Sequence, residues 1–97
     1  MNKKVFISPH DLSIVKIILA KYRSAQLFGS RVKGTHGPFS DLDISLAEPL
    51  SLAERERLDE QFEQSDLPFK VDVVMYNKTD QSFQETIKKH AIPLTEA

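Results

Sequence analysis

Gly29-Ser30-Arg31-Val32-Lys33-Gly34-Thr35-His36-Gly37-Pro38-Phe39-Ser40-Asp41-Leu42-Asp43 holds all three glycines of the chain, and its reading decides the fold. It begins where the apolar run Ala25-Gln26-Leu27-Phe28 stops, so the Gly-Ser pair sits at the end of a short strand. Ser30 to Lys33 reads as one turn of helix closed by Gly34, and Thr35 to Ser40 as loop around Gly37-Pro38. Leu42, Ile44 and Leu46 then alternate with Asp43, Ser45 and Ala47, the period of a strand. Side chains two apart on a strand share a side, so Asp41 and Asp43 project together.

Outward from this stretch the chain alternates helices and strands. On the N-terminal side, Ser8-Pro9-His10-Asp11 is a helix start, with Ser8 as N-cap and Pro9 in the first helical position. Leu12, Val15, Ile18, Leu19 and Tyr22 follow at helical spacing and are expected in the core. Ile14 and Ile17 widen that apolar arc, which predicts a helix packed on two sides. The alternative is an exposed isoleucine edge for a partner or second subunit. On the C-terminal side, Ser51 and Glu54 make a capping box for a charged helix whose thin apolar stripe is Leu58 and Phe62. A strand is predicted over 69–76, then a last helix capped by Thr79 or Asp80 with Phe83, Ile87 and Ala91 at helical spacing. Ile92-Pro93-Leu94 leads to a tail. The order is α-β-α-β-α-β-α in a single domain over 1–97, an α/β (α+β) fold with a small mixed β-sheet flanked by helices.

Composition narrows the chemistry. Without cysteine there is no disulfide, zinc-thiolate site or thiol nucleophile. Thirteen basic and fourteen acidic residues are interleaved to a net charge of −1, which disfavours a grip on long nucleic acid. The longest apolar run is far short of the ~20 residues a membrane-spanning helix needs, and Pro9, His10 and Asp11 interrupt any signal-peptide core after Lys3-Lys4. A cytoplasmic protein that handles a small phosphate-bearing ligand is the expectation. His10, His36 and His90 have no metal-ligand spacing. Ser30 lacks the Gly-x-Ser-x-Gly elbow of a hydrolase, and the Gly29 loop lacks the Gly-Lys-Ser/Thr ending of a Walker loop.

The acids carry the rest. Paired carboxylates on one side of a strand repel unless a cation lies between them, and Mg²⁺ typically takes one or two carboxylates plus substrate phosphates. Alone, Asp41 and Asp43 also read as two solvated acids. Asp72 interrupts the apolar run Val71, Val73, Val74 and Met75, where a buried carboxylate is costly unless paired or bound to metal. It reads as an ion pair with Lys70, as a residue on a strand face open to water, or, with the whole constellation in view, as a third acid beside Asp43. The Gly29-Ser30 turn supplies a close backbone approach, a hydroxyl and amides that suit an anion. Arg31 and Lys33 at that helix start oppose its dipole unless an anion sits there.

Gly-Ser, ten residues, Asp-x-Asp and a third acid on a later strand together resemble the minimal nucleotidyltransferases of the DNA polymerase beta superfamily, over nearly the whole chain. Within it, the pattern is most similar to the MntA-type antitoxins encoded beside HEPN-domain toxins. The resemblance implies ATP as substrate, its β- and γ-phosphates held by Gly29 and Ser30 with Arg31 beside them. It implies two Mg²⁺ ions bound by Asp41 and Asp43, one of them also by Asp72, which helps deprotonate the acceptor. AMP would pass to a hydroxyl, in the antitoxin branch a tyrosine of the partner toxin. In a chain this short the acceptor is expected from a partner protein or second subunit. The competing expectation is a nucleotide-binding antitoxin or regulatory module that neutralises its partner by binding alone.

Overall fold

The computed structural model describes residues 5–37 and 39–97. The readings of Met1-Asn2-Lys3-Lys4 and of Pro38 in the loop lie outside these residues. Among the described residues, helices and strands follow one another as α1 (Pro9–Ile18), β1 (Gln26–Phe28), α2 (Ser30–Lys33), β2 (Leu42–Leu46), α3 (Leu52–Glu63), β3 (Val71–Met75), α4 (Gln81–His90) and β4 (Ile92–Pro93), with short 3₁₀ turns after β3 and β4. The strands form one mixed sheet in the order β3-β2-β1-β4. β1 runs antiparallel to β2, with Leu27 opposite Ile44, and β2 runs parallel to β3, with Ile44 opposite Val73.

The expected order is present, with one strand added. Ile92–Pro93, which the sequence presents as the start of a tail, pairs antiparallel with β1, and the Leu94 amide donates to the Ala25 carbonyl at 2.9 Å. Two residues cannot display a period, so this strand exists only because β1 offers it an edge. Proline is tolerated there because an edge strand leaves one row of N–H groups outside the ladder.

Local signals account for most helix starts. Ser8 Oγ accepts the Asp11 amide at 3.1 Å, and Ser51 and Glu54 form both halves of the capping box. Asp80, rather than Thr79, caps α4 by accepting the Phe83 amide at 2.8 Å. α1 ends at Ile18, earlier than its apolar spacing suggests, yet Tyr22 is still buried because the chain turns inward after the helix. Ile17 is 75% exposed, so the expectation of a helix packed on both sides fails there.

Leu27, Leu42, Ile44 and Leu46 lie on one face of the sheet with no solvent exposure, packed with Val15 of α1, Leu19 just after it, and Leu58 and Phe62 of α3. Full burial of such side chains is worth about 1.5–3 kcal/mol each and drives the two-layer packing. The opposite face carries Phe28, Asp43 and Asp72, as strand alternation requires. α4 reaches that face through Phe83, whose ring meets Phe28 edge-on at 5.6 Å between centroids.

The sheet order corrects one expectation. The apolar run of β3 predicts a buried strand in which Asp72 is a costly interruption. Instead β3 is the outermost strand, only Val73 in it is fully buried, and Asp72 is exposed. A hydrophobic run cannot by itself distinguish a central strand from an edge strand with one covered face. Asp72 is singled out by its register, not by burial.

Candidate active site

Gly29 ends β1 and begins the turn into α2 with φ +86° and ψ −157°, a conformation that other residues rarely adopt. A side chain is excluded for a second reason: a Cβ at this position would collide with the Asp43 carboxylate, whose Cγ lies 3.1 Å away. The turn and the second acid are therefore in contact, although fourteen positions separate them in the sequence. The Gly29 carbonyl accepts the Val32 and Lys33 amides at 3.1 Å each, and the Ser30 carbonyl accepts those of Gly34 and Thr35 at 2.8 and 3.1 Å. Ser30 is half-buried at the first position of α2 and Lys33 is exposed at its last.

Asp41 lies in the loop immediately before β2 and is exposed, while Asp43 is half-buried within that strand. Asp43 and Asp72 are direct partners across the parallel β2–β3 ladder. Adjacent strands lie about 4.8 Å apart, so the two acids share one patch of the open face. Burial pushes the Asp43 carboxyl above its ordinary 3.8, and the charges of Asp72 and then Asp41 push it further. Among the described residues none of the three acids is in an ion pair with a lysine or arginine.

This donor set fits a hard divalent cation. Three carboxylates supply only oxygen, they repel one another as they stand, and no protein cation among the described residues relieves them. Among the described residues, no three histidine, cysteine or acidic side chains are placed to hold a metal ion by themselves. Mg²⁺ commonly takes only one or two carboxylates and fills the rest of its shell with water and substrate oxygens.

Arg31 departs from its expected position facing the phosphates. Its side chain is 5% exposed and turned into the protein. Nε donates to the Ser40 carbonyl and Nη1 to the Phe6 carbonyl, both at 3.0 Å, and the guanidinium stacks over the Phe69 ring at 4.1 Å. These contacts join the segment before α1, the residue preceding Asp41 and the approach to β3. A cation at a short helix start reads equally well as an anion ligand or as a clasp for carbonyls. Only the tertiary structure places those carbonyls around it.

Nothing in the motif spacing points to the groove beside Asp41. It measures about 830 Å³ and lies between the loop before β2, the C-terminal turns of α3 and the segment leading into β3. Phe39 stands at its edge, 78% exposed, and the only hint of it in the sequence is an aromatic residue in a polar loop.

The family model described as polymerase beta, nucleotidyltransferase, matches residues 14–97. A Haemophilus influenzae protein named "Probable protein adenylyltransferase MntA" is 40% identical over 95 residues, covering 93% of this chain and 83% of the relative. A solved structure described as a crystal structure of a toxin-antitoxin with AMP-PNP superposes with a TM-score of 0.69. At 24% identity it spans 86% of this chain and 71% of that one, a likeness of fold. The motif spacing, the acids gathered beside Gly29 and the family match from α1 to the C-terminal residue agree: this chain belongs to the polymerase beta nucleotidyltransferase family.

Proposed function

We propose that this protein transfers AMP from ATP, with Mg²⁺ bound, to a hydroxyl of a partner protein and acts as the antitoxin of a toxin-antitoxin pair. The observation that carries the chemistry is the alignment of Asp43 with Asp72 across one ladder, with Asp41 two residues away and Gly29 closed against Asp43. The antitoxin role draws on the likeness to the MntA adenylyltransferase and on the fold shared with a toxin-antitoxin structure. Tyrosine as acceptor and a HEPN-type toxin as partner come from the motif resemblance.

Asp41, Asp43 and Asp72 are the residues that would hold Mg²⁺. Bound there, the metal would neutralise triphosphate charge and make the α-phosphorus more open to attack. Gly29 and Ser30 orient the β- and γ-phosphates through the backbone and the hydroxyl. Asp72, exposed on the outer strand, accepts the proton of the incoming hydroxyl. The acceptor oxygen bonds to the α-phosphorus, the bond from that phosphorus to the oxygen bridging to the β-phosphate breaks, and pyrophosphate leaves. No long nucleic acid is required, and no helix among the described residues is long and apolar enough to cross a membrane.

The test is incubation of the purified protein with α-labelled ATP, Mg²⁺ and a candidate HEPN-type toxin. Label on a tyrosine of the partner is the expected result. Neutralisation of the toxin without label, matched by the Asp41→Ala/Asp43→Ala variant, would establish the binding-only reading instead.

A further inference from the structure

Phe28, Asp43 and Asp72 stand in one row across the open face, on β1, β2 and β3. Adjacent strands lie about 4.8 Å apart, so Phe28 flanks Asp43 on one side as Asp72 does on the other. Phe28 also precedes Gly29 in the chain, which joins it directly to the turn assigned above to the β- and γ-phosphates. Phe83 of α4 extends this apolar surface. Its ring meets that of Phe28 at 89° with 5.6 Å between centroids, and the residue is 38% exposed.

The helix that carries Phe83 has other anchors. Asp80 caps it by accepting the Phe83 amide, and Gln84 Nε2 donates to the Tyr76 and Thr79 carbonyls at 3.0 and 3.2 Å. Ile87 is the buried residue of the helix. Phe83 instead keeps aromatic surface in water on the β1 side of Asp43, where a bound group can cover it.

The row decides which part of the substrate that group is. In-line displacement puts the attacking and leaving oxygens on opposite sides of the α-phosphorus. The acceptor gives its proton to Asp72 on β3, so it lies across Asp43 from the two rings. Pyrophosphate occupies the turn beyond the end of β1, and the phosphate oxygens face the acids. The part of the nucleotide left to lie over the rings is the nucleoside. Its chemistry suits them, because every base has a π-face that stacks on an aromatic side chain without needing a charge.

We infer that Phe83, backed edge-on by Phe28, is the platform on which the purine base of the bound nucleotide stacks. The inference rests on the adenylyl-transfer reading above and adds where the nucleoside lies and which side chain holds it.

Calorimetric titration in Mg²⁺ tests it by comparing ATP with inorganic tripolyphosphate, which has the phosphate chain and no nucleoside. The native sequence should bind ATP about 5- to 50-fold more tightly than tripolyphosphate. Phe83→Ala and Phe83→Leu should each remove most of that difference, with tripolyphosphate affinity kept within about twofold as the control for folding, whereas Phe83→Trp should preserve the difference. Leucine keeps apolar bulk without a ring, so its failure separates stacking from simple burial. Adenine proton resonances should move upfield on binding to the native protein and not to Phe83→Leu. Equal loss of ATP and tripolyphosphate affinity, or full ATP affinity in Phe83→Leu, would overturn the platform. So would unchanged ATP binding with a raised KM for the partner protein, by showing that Phe83 touches the acceptor. Phe83-dependent ATP binding with no label passed to the partner would leave the platform standing and remove the transferase reading.

Discussion

Asp43 and Asp72 face each other across the β2–β3 ladder, and neither has a basic partner among the described residues. The acids therefore repel one another within the sheet, and burial of Asp43 strengthens the repulsion.

The first prediction concerns pH. Because the folded Asp43 carboxyl sits above its unfolded value, the native state binds more protons than the unfolded state between the two. Stability of the metal-free protein therefore falls as pH rises through that window, from the ordinary 3.8 upward. Asp43→Asn removes the repulsion and should raise the metal-free Tm at pH 7, with the gain vanishing at pH 3. Added Mg²⁺ should raise the Tm of the native sequence and leave that of the variant unmoved. Thermal melts across pH decide this, and equal Mg²⁺ stabilisation of both proteins would count against Asp43 as a ligand.

Asp72→Asn keeps the shape of an exposed residue and removes its negative charge. Transfer of label to the partner should fall by at least about 100-fold while the Tm stays level or rises. A variant that turns over normally would remove Asp72 from the reaction.

Gly29→Ala meets two obstacles at once, a positive φ and the Asp43 carboxylate. The backbone alone, in a region of positive φ and extended ψ that is essentially reserved for glycine, costs about 1–3 kcal/mol, and the collision displaces Asp43 from Asp72. Denaturant unfolding should show the loss, and Mg²⁺ stabilisation should disappear with it. Gly37→Ala, where an added Cβ would meet Ser40 Oγ at an ordinary 3.6 Å, serves as the tolerant comparison.

Arg31→Met keeps bulk but removes two charge-assisted hydrogen bonds, to the Ser40 and Phe6 carbonyls, and a hydrogen bond from a charged group contributes about 1.5–3 kcal/mol. The expected result is a lower Tm and a loss of Mg²⁺ affinity as the segment before Asp41 loosens. Arg31→Lys should restore part of both. A variant of full stability whose ATP affinity alone is lost would return Arg31 to the phosphate-binding role that its position beside Gly29-Ser30 implies.

Much of this molecule is legible in its residues alone. Ser8, Ser51 and Asp80 announce three helices because caps act within one turn, and Leu42, Ile44 and Leu46 announce β2 because alternation is local. The acids and the Gly-Ser turn are identifiable because residue type and spacing carry that chemistry. Strand order is not legible, since nothing local distinguishes an edge from a centre, and so the apolar run around Asp72 suggests a burial that this residue lacks. The inward turn of Arg31 and the groove at Phe39 escape the sequence for a related reason: their surroundings come from segments far apart in the chain.

The sequence by itself therefore determined which groups are available, an oxygen-rich set of acids beside a glycine turn, and the family that uses them. The tertiary structure decided where those groups meet. Parallel pairing of β2 with β3 set Asp43 opposite Asp72, the positive φ of Gly29 let the turn close on Asp43, and the inward guanidinium of Arg31 tied the approach to Asp41 to the approach to β3. Local propensity acts over a few residues, whereas the site depends on register and packing between segments tens of residues apart.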